Sequence, residues 1–155
     1  MYLLDTNHCS RAILGDSVIL DRLAAINDTL VATCVIVQGE LIDMAERSQR
    51  KRNNLILIQS FLQGIFVYNI DGTTATLYGQ LKAELFKQFA PKEKSKRRKT
   101  KMTELGFDEN DLWIAAIAKR LRRRIALQHN LTIVSADSDF QRIHQVQALS
   151  VESWV

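Results

Sequence analysis

Leu30-Val31-Ala32-Thr33-Cys34-Val35-Ile36-Val37 is a nearly unbroken apolar, β-branched run in a chain of 155 residues. A strand with one wet face alternates apolar and polar side chains. This run does not alternate, as expected of a strand covered by helices on both faces, which is the habit of parallel sheets. Working outward, Tyr2-Leu3-Leu4 precedes it, and Ile65-Phe66-Val67-Tyr68-Asn69-Ile70 follows. Leu131-Thr132-Ile133-Val134-Ser135 and a final stretch at 149–154 complete a set of short strand candidates. The intervening segments carry helical spacing. Asn7 and Ser10 are cap candidates for a helix after the first strand, and Asp16 or Ser17 caps residues 18–26. Residues 38–53 place Leu41, Ile42 and Ala45 on one face and Glu46, Arg47 and Arg50 on the other, with Glu40 in the first turn. Residues 54–63 form a further helical stretch. Asp71 caps a helix over 73–90 that Pro91 ends, and residues 111–122 and 138–144 supply the last two. Strands alternating with helices define an α/β chain with a three-layer α/β/α sandwich around a central, mostly parallel sheet.

Length and composition narrow the class. The chain is long enough for one core and short for two, so residues 1–155 are expected to form a single domain. Hydrophobic residues at 46% and charged residues at 25% exclude a disordered or fibrous chain. No apolar run approaches the roughly 18 residues of a membrane span. Asp5 interrupts the N-terminal apolar stretch, so no export signal is legible. Cys9 and Cys34 form no Cys-x-x-Cys pair, which gives neither a zinc site nor a disulfide framework and fits a reducing cytoplasm.

The acidic residues are placed with more regularity than the helices need. Asp5 follows the first strand and Asp137 follows Leu131-Thr132-Ile133-Val134-Ser135-Ala136, while Glu40 and Asp111 stand near helix starts. In an open α/β sheet the functional crevice lies beyond the carboxyl ends of the strands, where these side chains would converge. Taken singly, each reads as an ordinary helix cap. Gathered together they repel one another, and a divalent cation is the usual means of keeping such a group ionised. Magnesium keeps several waters and takes one or two carboxylates directly. It can polarise a phosphate oxygen, lower the pKa of a water and steady a leaving oxygen, which makes phosphodiester hydrolysis the natural reaction.

The net charge of +4 is unevenly spread. Residues 92–101 carry seven basic side chains against one acid, and residues 119–124 carry five more, which leaves the rest of the chain at −7. A polyanion, nucleic acid above all, suits that asymmetry, although a solvated loop and helix face would carry the same runs. Lys96, Arg97, Arg98 and Lys99 are candidate RNA backbone contacts, with Arg122, Arg123 and Arg124 as a second set. The segment 91–108 lacks periodic apolar positions and is expected to be an exposed basic loop.

Leu3-Leu4-Asp5-Thr6-Asn7, Gly39-Glu40-Leu41, Asn110-Asp111-Leu112-Trp113-Ile114-Ala115-Ala116 and Ile133-Val134-Ser135-Ala136-Asp137-Ser138-Asp139-Phe140 resemble, in order, the motifs of PIN-domain nucleases, most closely VapC-type toxins of type II toxin–antitoxin modules. The terminal stretch Leu149-Ser150-Val151-Glu152-Ser153-Trp154 resembles the family's last strand. The resemblance implies a PIN-like fold, an endoribonuclease dependent on magnesium or manganese, a cognate antitoxin and a homodimer. Carried over residue by residue, Asp5, Glu40 and Asp111 match the three most characteristic acids and Asp137 the more variable fourth, a role for which Asp139 is the rival. Thr6, Asn7 and Ser135 match supporting positions. The basic stretch between Phe89 and Asp108 departs from the family pattern in length and charge.

Other classes fit less well. His8, His129 and His144 are scattered and no Ser or Cys nucleophile has a neighbouring base motif, so covalent catalysis has little support and the histidines read as structural. A haloacid-dehalogenase phosphatase would need a second Asp where Asn7 stands. A receiver domain would use Asp71 but lacks its partner acids beside Asp5. The non-enzyme alternative is an RNA-binding or partner-binding module in which the acids are a remnant. Trp113, on the helix of Asp111, would serve such a module as a base-stacking platform, but its spacing with Leu112, Ala116 and Ile117 favours packing.

Overall fold

Five strands, Tyr2–Leu4 (β1), Val31–Cys34 (β2), Phe66–Tyr68 (β3), Thr132–Val134 (β4) and Ser150–Glu152 (β5), form one sheet in the order β3-β2-β1-β4-β5, every neighbouring pair parallel. The structure is a computed structural model that describes residues 1–26, 29–125 and 131–155, with side chains in the stretch before 131 described as far as Arg123. Leu3 pairs with Ala32 on one side and Ile133 on the other. Leu3, Leu4, Ala32, Cys34, Ile133 and Val134 are fully buried, as a strand enclosed by two helical layers requires.

Helices make every connection. Thr6–Ile13 (α1) and Ser17–Ala25 (α2) join β1 to β2, and Val35–Glu46 (α3) and Lys51–Gln63 (α4) join β2 to β3. Gly72–Phe89 (α5), Lys94–Arg97 (α6), a 3-10 turn at Thr103–Leu105 and Glu109–Ile125 (α7) lead to β4, and Ser138–His144 (α8) leads to β5. The chain steps outward from β1 to β3, then returns across β1 to β4. Right-handed crossovers in opposite directions put α1 to α4 on one face and α5, α7 and α8 on the other. The topological switch falls between β1 and β4, and connections leaving in opposite directions open a crevice at their carboxyl ends.

The structure moves several boundaries. The strand expected over 30–37 stops at Cys34, and Val35-Ile36-Val37 become the first turn of α3. A buried helix start and a buried strand are equally apolar; here Val37 and Leu41, one turn apart, both reach the core. Glu40 therefore lies in the second turn of its helix. The single helix expected over 38–53 is broken at 47–50, where the Ser48 hydroxyl donates to the Ala45 carbonyl and accepts from the Asn54 amide, turning the chain into an α3–α4 hairpin. Asp5, instead of Asn7 or Ser10, caps α1, and Asp16 caps α2. Asp71 caps α5 as expected, within a capping box completed by Thr74. The helix expected from 111 starts at Glu109.

The segment 91–108 is only partly an exposed loop. It contains α6 and the 3-10 turn, and buried Met102 and Phe107 anchor its second half, with Gly106 supplying a left-handed turn at φ 74°. Arg120 leaves the second basic cluster altogether. It is buried, with Nη1 2.8 Å from Asp71 Oδ2. No helix among the described residues is long and apolar enough to cross a membrane.

Candidate metal centre

Asp5 is the first residue after β1 and the cap of α1. Strand and helix each end there, so the carboxylate is fixed at the sheet edge. Its Oδ1 accepts from the His8 backbone N–H at 2.8 Å and lies 2.9 Å from His8 Nδ1. Across the switch point, Asp137 follows β4 and caps α8, accepting from the Asp139 N–H at 2.9 Å. Buried Ser135 accepts from the Asp137 N–H at 3.0 Å and so sets the turn. Asp139, in the first turn of α8, accepts from the Asp108 N–H at 2.9 Å, and Arg142 Nη1 is 3.5 Å from its other oxygen. Asp111 comes from the first turn of α7.

Carboxylate oxygens of Asp111, Asp137 and Asp139 lie within 4.8 Å of one another. The half-buried Asp111 carboxyl is pushed up to about 8, first by burial, then by the charges of Asp137, Asp139, Asp108 and Asp5. Asp139 is also raised, chiefly by burial and then by Asp137, against the opposing hydrogen bond from Asp108. Burial and mutual repulsion both disfavour the ionised form of these carboxylates, and a cation among them would offset both. The donors are all carboxylate oxygens, which suits a hard divalent cation.

Glu40 reaches this centre by two tethers. The Thr6 hydroxyl donates to Oε2, and the Asn110 amide donates to Oε1 at 2.7 Å. Thr6 follows Asp5 and Asn110 precedes Asp111, so Glu40 is bound to the neighbours of two other acids. Asp111, Asp137 and Asp139 form the close group, with Asp5 and Glu40 on its border. Asn7 is exposed.

Two supports of this centre, Asn110 and Arg142, were not singled out from the sequence, and a third, His8, was read there only as a structural histidine. Asn110 stood beside a quoted acid, and its hydrogen-bonding amide was the available signal. His8 lies three residues beyond the capping Asp5, within reach of it on a helix. Arg142 gave no local signal: its guanidinium lies 3.9 Å from the Phe107 ring centroid and donates to the carbonyls of Gly106 and Leu105, each at 2.7 Å. These contacts join α8 and Asp139 to the end of the basic segment.

The basic residues divide. Lys96, Arg98 and Lys99 are exposed, although Lys96 pairs with Glu93 at 3.0 Å. Arg97 lies against Phe86, 5.5 Å from the ring centroid. Arg122 donates to the Ala148 carbonyl at 2.5 Å, and Arg123 is exposed. Eleven residues of helix separate Arg122 from Asp111, roughly 16 Å along the axis, so this second set lies at the opposite end of α7 from the acids. The Arg124 side chain and His129 lie outside the described residues. His144 ties α8 to the residue before β5, its Nδ1 donating to the Leu149 carbonyl at 2.7 Å. Trp113 stacks on Tyr78 at 3.8 Å between ring centroids, so one face of the indole is spent joining α7 to α5.

Residues 2–145 match the model of the PIN domain family, and the chain belongs to that family. Within it the chain groups with VapC proteins. It is 30% identical over 156 aligned positions to Ribonuclease VapC2 of Haemophilus influenzae, covering 99% of this chain and 98% of that one. It is 33% identical over 90 residues to the tRNA(fMet)-specific endonuclease VapC of Shigella flexneri, covering 58% of this chain and 68% of the relative. Among solved structures, VapBC2 from Rickettsia felis bound to a DNA fragment from its promoter superposes with a TM-score of 0.74 at 25% identity, over 99% of this chain and 98% of that one.

Proposed function

We propose that this chain is a VapC-type endoribonuclease toxin that uses Mg2+ or Mn2+ to hydrolyse RNA phosphodiester bonds in the cytoplasm. The observation that carries the proposal is the convergence of Asp111, Asp137 and Asp139 within 4.8 Å at the switch point of a parallel sheet. The ribonuclease names of its relatives support the substrate class.

Asp5, Glu40, Asp111 and Asp137 are the catalytic acids of this reading, and Asp139 joins them in the ligand set. A bound divalent ion would supply positive charge for the phosphate and a more acidic water. The chain's own residues do the rest. Thr6 and Asn110 fix the Glu40 carboxylate, Ser135 sets the turn that presents Asp137, and Arg142 keeps Asp139 in place. Asp111 would give up its proton to a bound cation, whose charge would offset the burial and the neighbouring carboxylates that raise its pKa. Exposed Lys96, Arg98 and Lys99 are the RNA backbone contacts that the structure leaves most accessible.

A cognate antitoxin is the expected regulator, supported by the likeness to VapBC2 from Rickettsia felis and, in fold, to DNA-bound VapBC from Salmonella typhimurium at 24% identity with a TM-score of 0.74. A homodimer, each chain forming one PIN-like domain over residues 1–155, is the proposed assembly.

RNA end mapping after brief induction in cells tests the function. Wild-type protein is expected to create new 5′-phosphate and 3′-hydroxyl ends at discrete sites, and Asp5→Ala none. Equal cutting by the Asp5→Ala protein, or no new ends with wild type, overturns it.

A further inference from the structure

We infer that His8 is a positioning residue for the metal centre, holding Asp5 through a hydrogen bond whose direction is dictated by the backbone N–H of Trp154 at the far end of the chain. This inference rests on the function proposed above.

His8 is fully buried, so both ring nitrogens must find partners inside the protein. Nε2 lies 3.4 Å from the Trp154 backbone nitrogen, which can only donate. Nε2 is therefore the accepting nitrogen, and the ring proton sits on Nδ1. Nδ1 then donates to Asp5 Oδ1 at 2.9 Å. The His8 backbone N–H donates to that same oxygen at 2.8 Å. Both bonds fall on Oδ1, which leaves Oδ2 for a cation. Two donors on one oxygen also fix the rotation of the carboxylate, as outer partners do for metal ligands in general.

Trp154 holds its own place independently of His8. Its ring packs edge-on against Tyr2 with centroids 5.2 Å apart, and its Nε1 donates to Glu152 at 2.5 Å. The indole also stands edge-on to the His8 ring, with centroids 6.3 Å apart. The segment after β5 thus reaches the first acid through one imidazole.

Two near-isosteric variants separate positioning from packing. In His8→Asn the amide nitrogen falls where Nδ1 was and still donates to Asp5. In His8→Gln the amide falls where Nε2 was, and the Asp5 bond is lost. The test is manganese binding to the metal-free chain of residues 1–155, measured by electron paramagnetic resonance without RNA and accompanied by thermal melts. Wild type and His8→Asn are expected to bind manganese with similar affinity. His8→Gln is expected to bind about 10- to 100-fold more weakly. Equal affinity of His8→Gln and wild type overturns the inference while leaving the proposed function intact, as does equal weakening in folded Asn and Gln variants. A wild-type protein that binds no manganese overturns the proposed metal centre and this inference with it.

Discussion

Asp111 shows at the scale of one residue how folding and function pull against each other. In the unfolded chain its carboxyl loses its proton near 3.8, whereas in the folded protein the proton stays until about 8. Between those values the folded state binds more protons, so the stability of the metal-free protein falls as pH rises across that window. Asp139, raised in the same direction, adds to the slope. Asp111→Asn removes the largest part of it. Melts in EDTA at pH 5.5 and pH 8 are expected to show wild type losing melting temperature at the higher pH and Asp111→Asn losing much less; parallel losses would contradict the assigned cause. Metal binding displaces the same proton. Calorimetry at pH 7 in two buffers of different ionisation enthalpy is expected to show about one proton released per manganese bound, and no release would place the ion elsewhere.

Among the elements, α7 carries the most varied load: Asp111 at one end, Trp113 against Tyr78 behind it, and Arg120 buried near the other end. Asp71 is held down to about 2 by the Thr74 backbone N–H and then by Arg120. That contribution to stability is complete above 3.8 and is lost as pH falls toward 2. Asp71→Asn leaves a buried guanidinium without its carboxylate, whereas Arg120→Met leaves a capped helix and an apolar side chain. Urea unfolding at pH 7 is expected to find Asp71→Asn the less stable variant, and the reverse order would show that the cap and the ion pair count for little. For the basic segment, replacing Lys96, Arg98 and Lys99 by Gln is expected to lower the slope of log affinity for single-stranded RNA against log salt by about 2. An unchanged slope would show that this segment does not meet phosphate. Element boundaries were the least legible part of the sequence. Val35-Ile36-Val37 could not be told from strand because a buried helix start and a buried strand share their apolarity. The structure in 91–108 escaped notice because Met102 and Phe107 are anchored by distant partners instead of by a local repeat.

Over the whole molecule, the fold was legible because an acid closes two of the strands at the switch point and because strand and helix periods alternate along the chain. The short motifs around Asp5, Glu40, Asp111 and Asp137 carried the family resemblance, which the PIN match over residues 2–145 supports. The supports of the centre were not legible: His8 meets Trp154 and Arg142 meets Phe107 only after the sheet has brought their helices together. Sequence reasoning also counted Arg120 and Arg122 as a second cationic surface. Tertiary structure spends the first on Asp71 and the second on the Ala148 carbonyl. The central claim is that Asp5, Glu40, Asp111 and Asp137, from the ends of β1 and β4 and from α3 and α7, gather around one or two divalent ions. Anomalous diffraction from a manganese-soaked crystal tests it most directly. A peak among the carboxylates of Asp111, Asp137 and Asp139, on the side facing Asp5 and absent in Asp111→Asn crystals soaked in the same way, is the predicted result. A wild-type map with manganese bound elsewhere and none among these acids would contradict it.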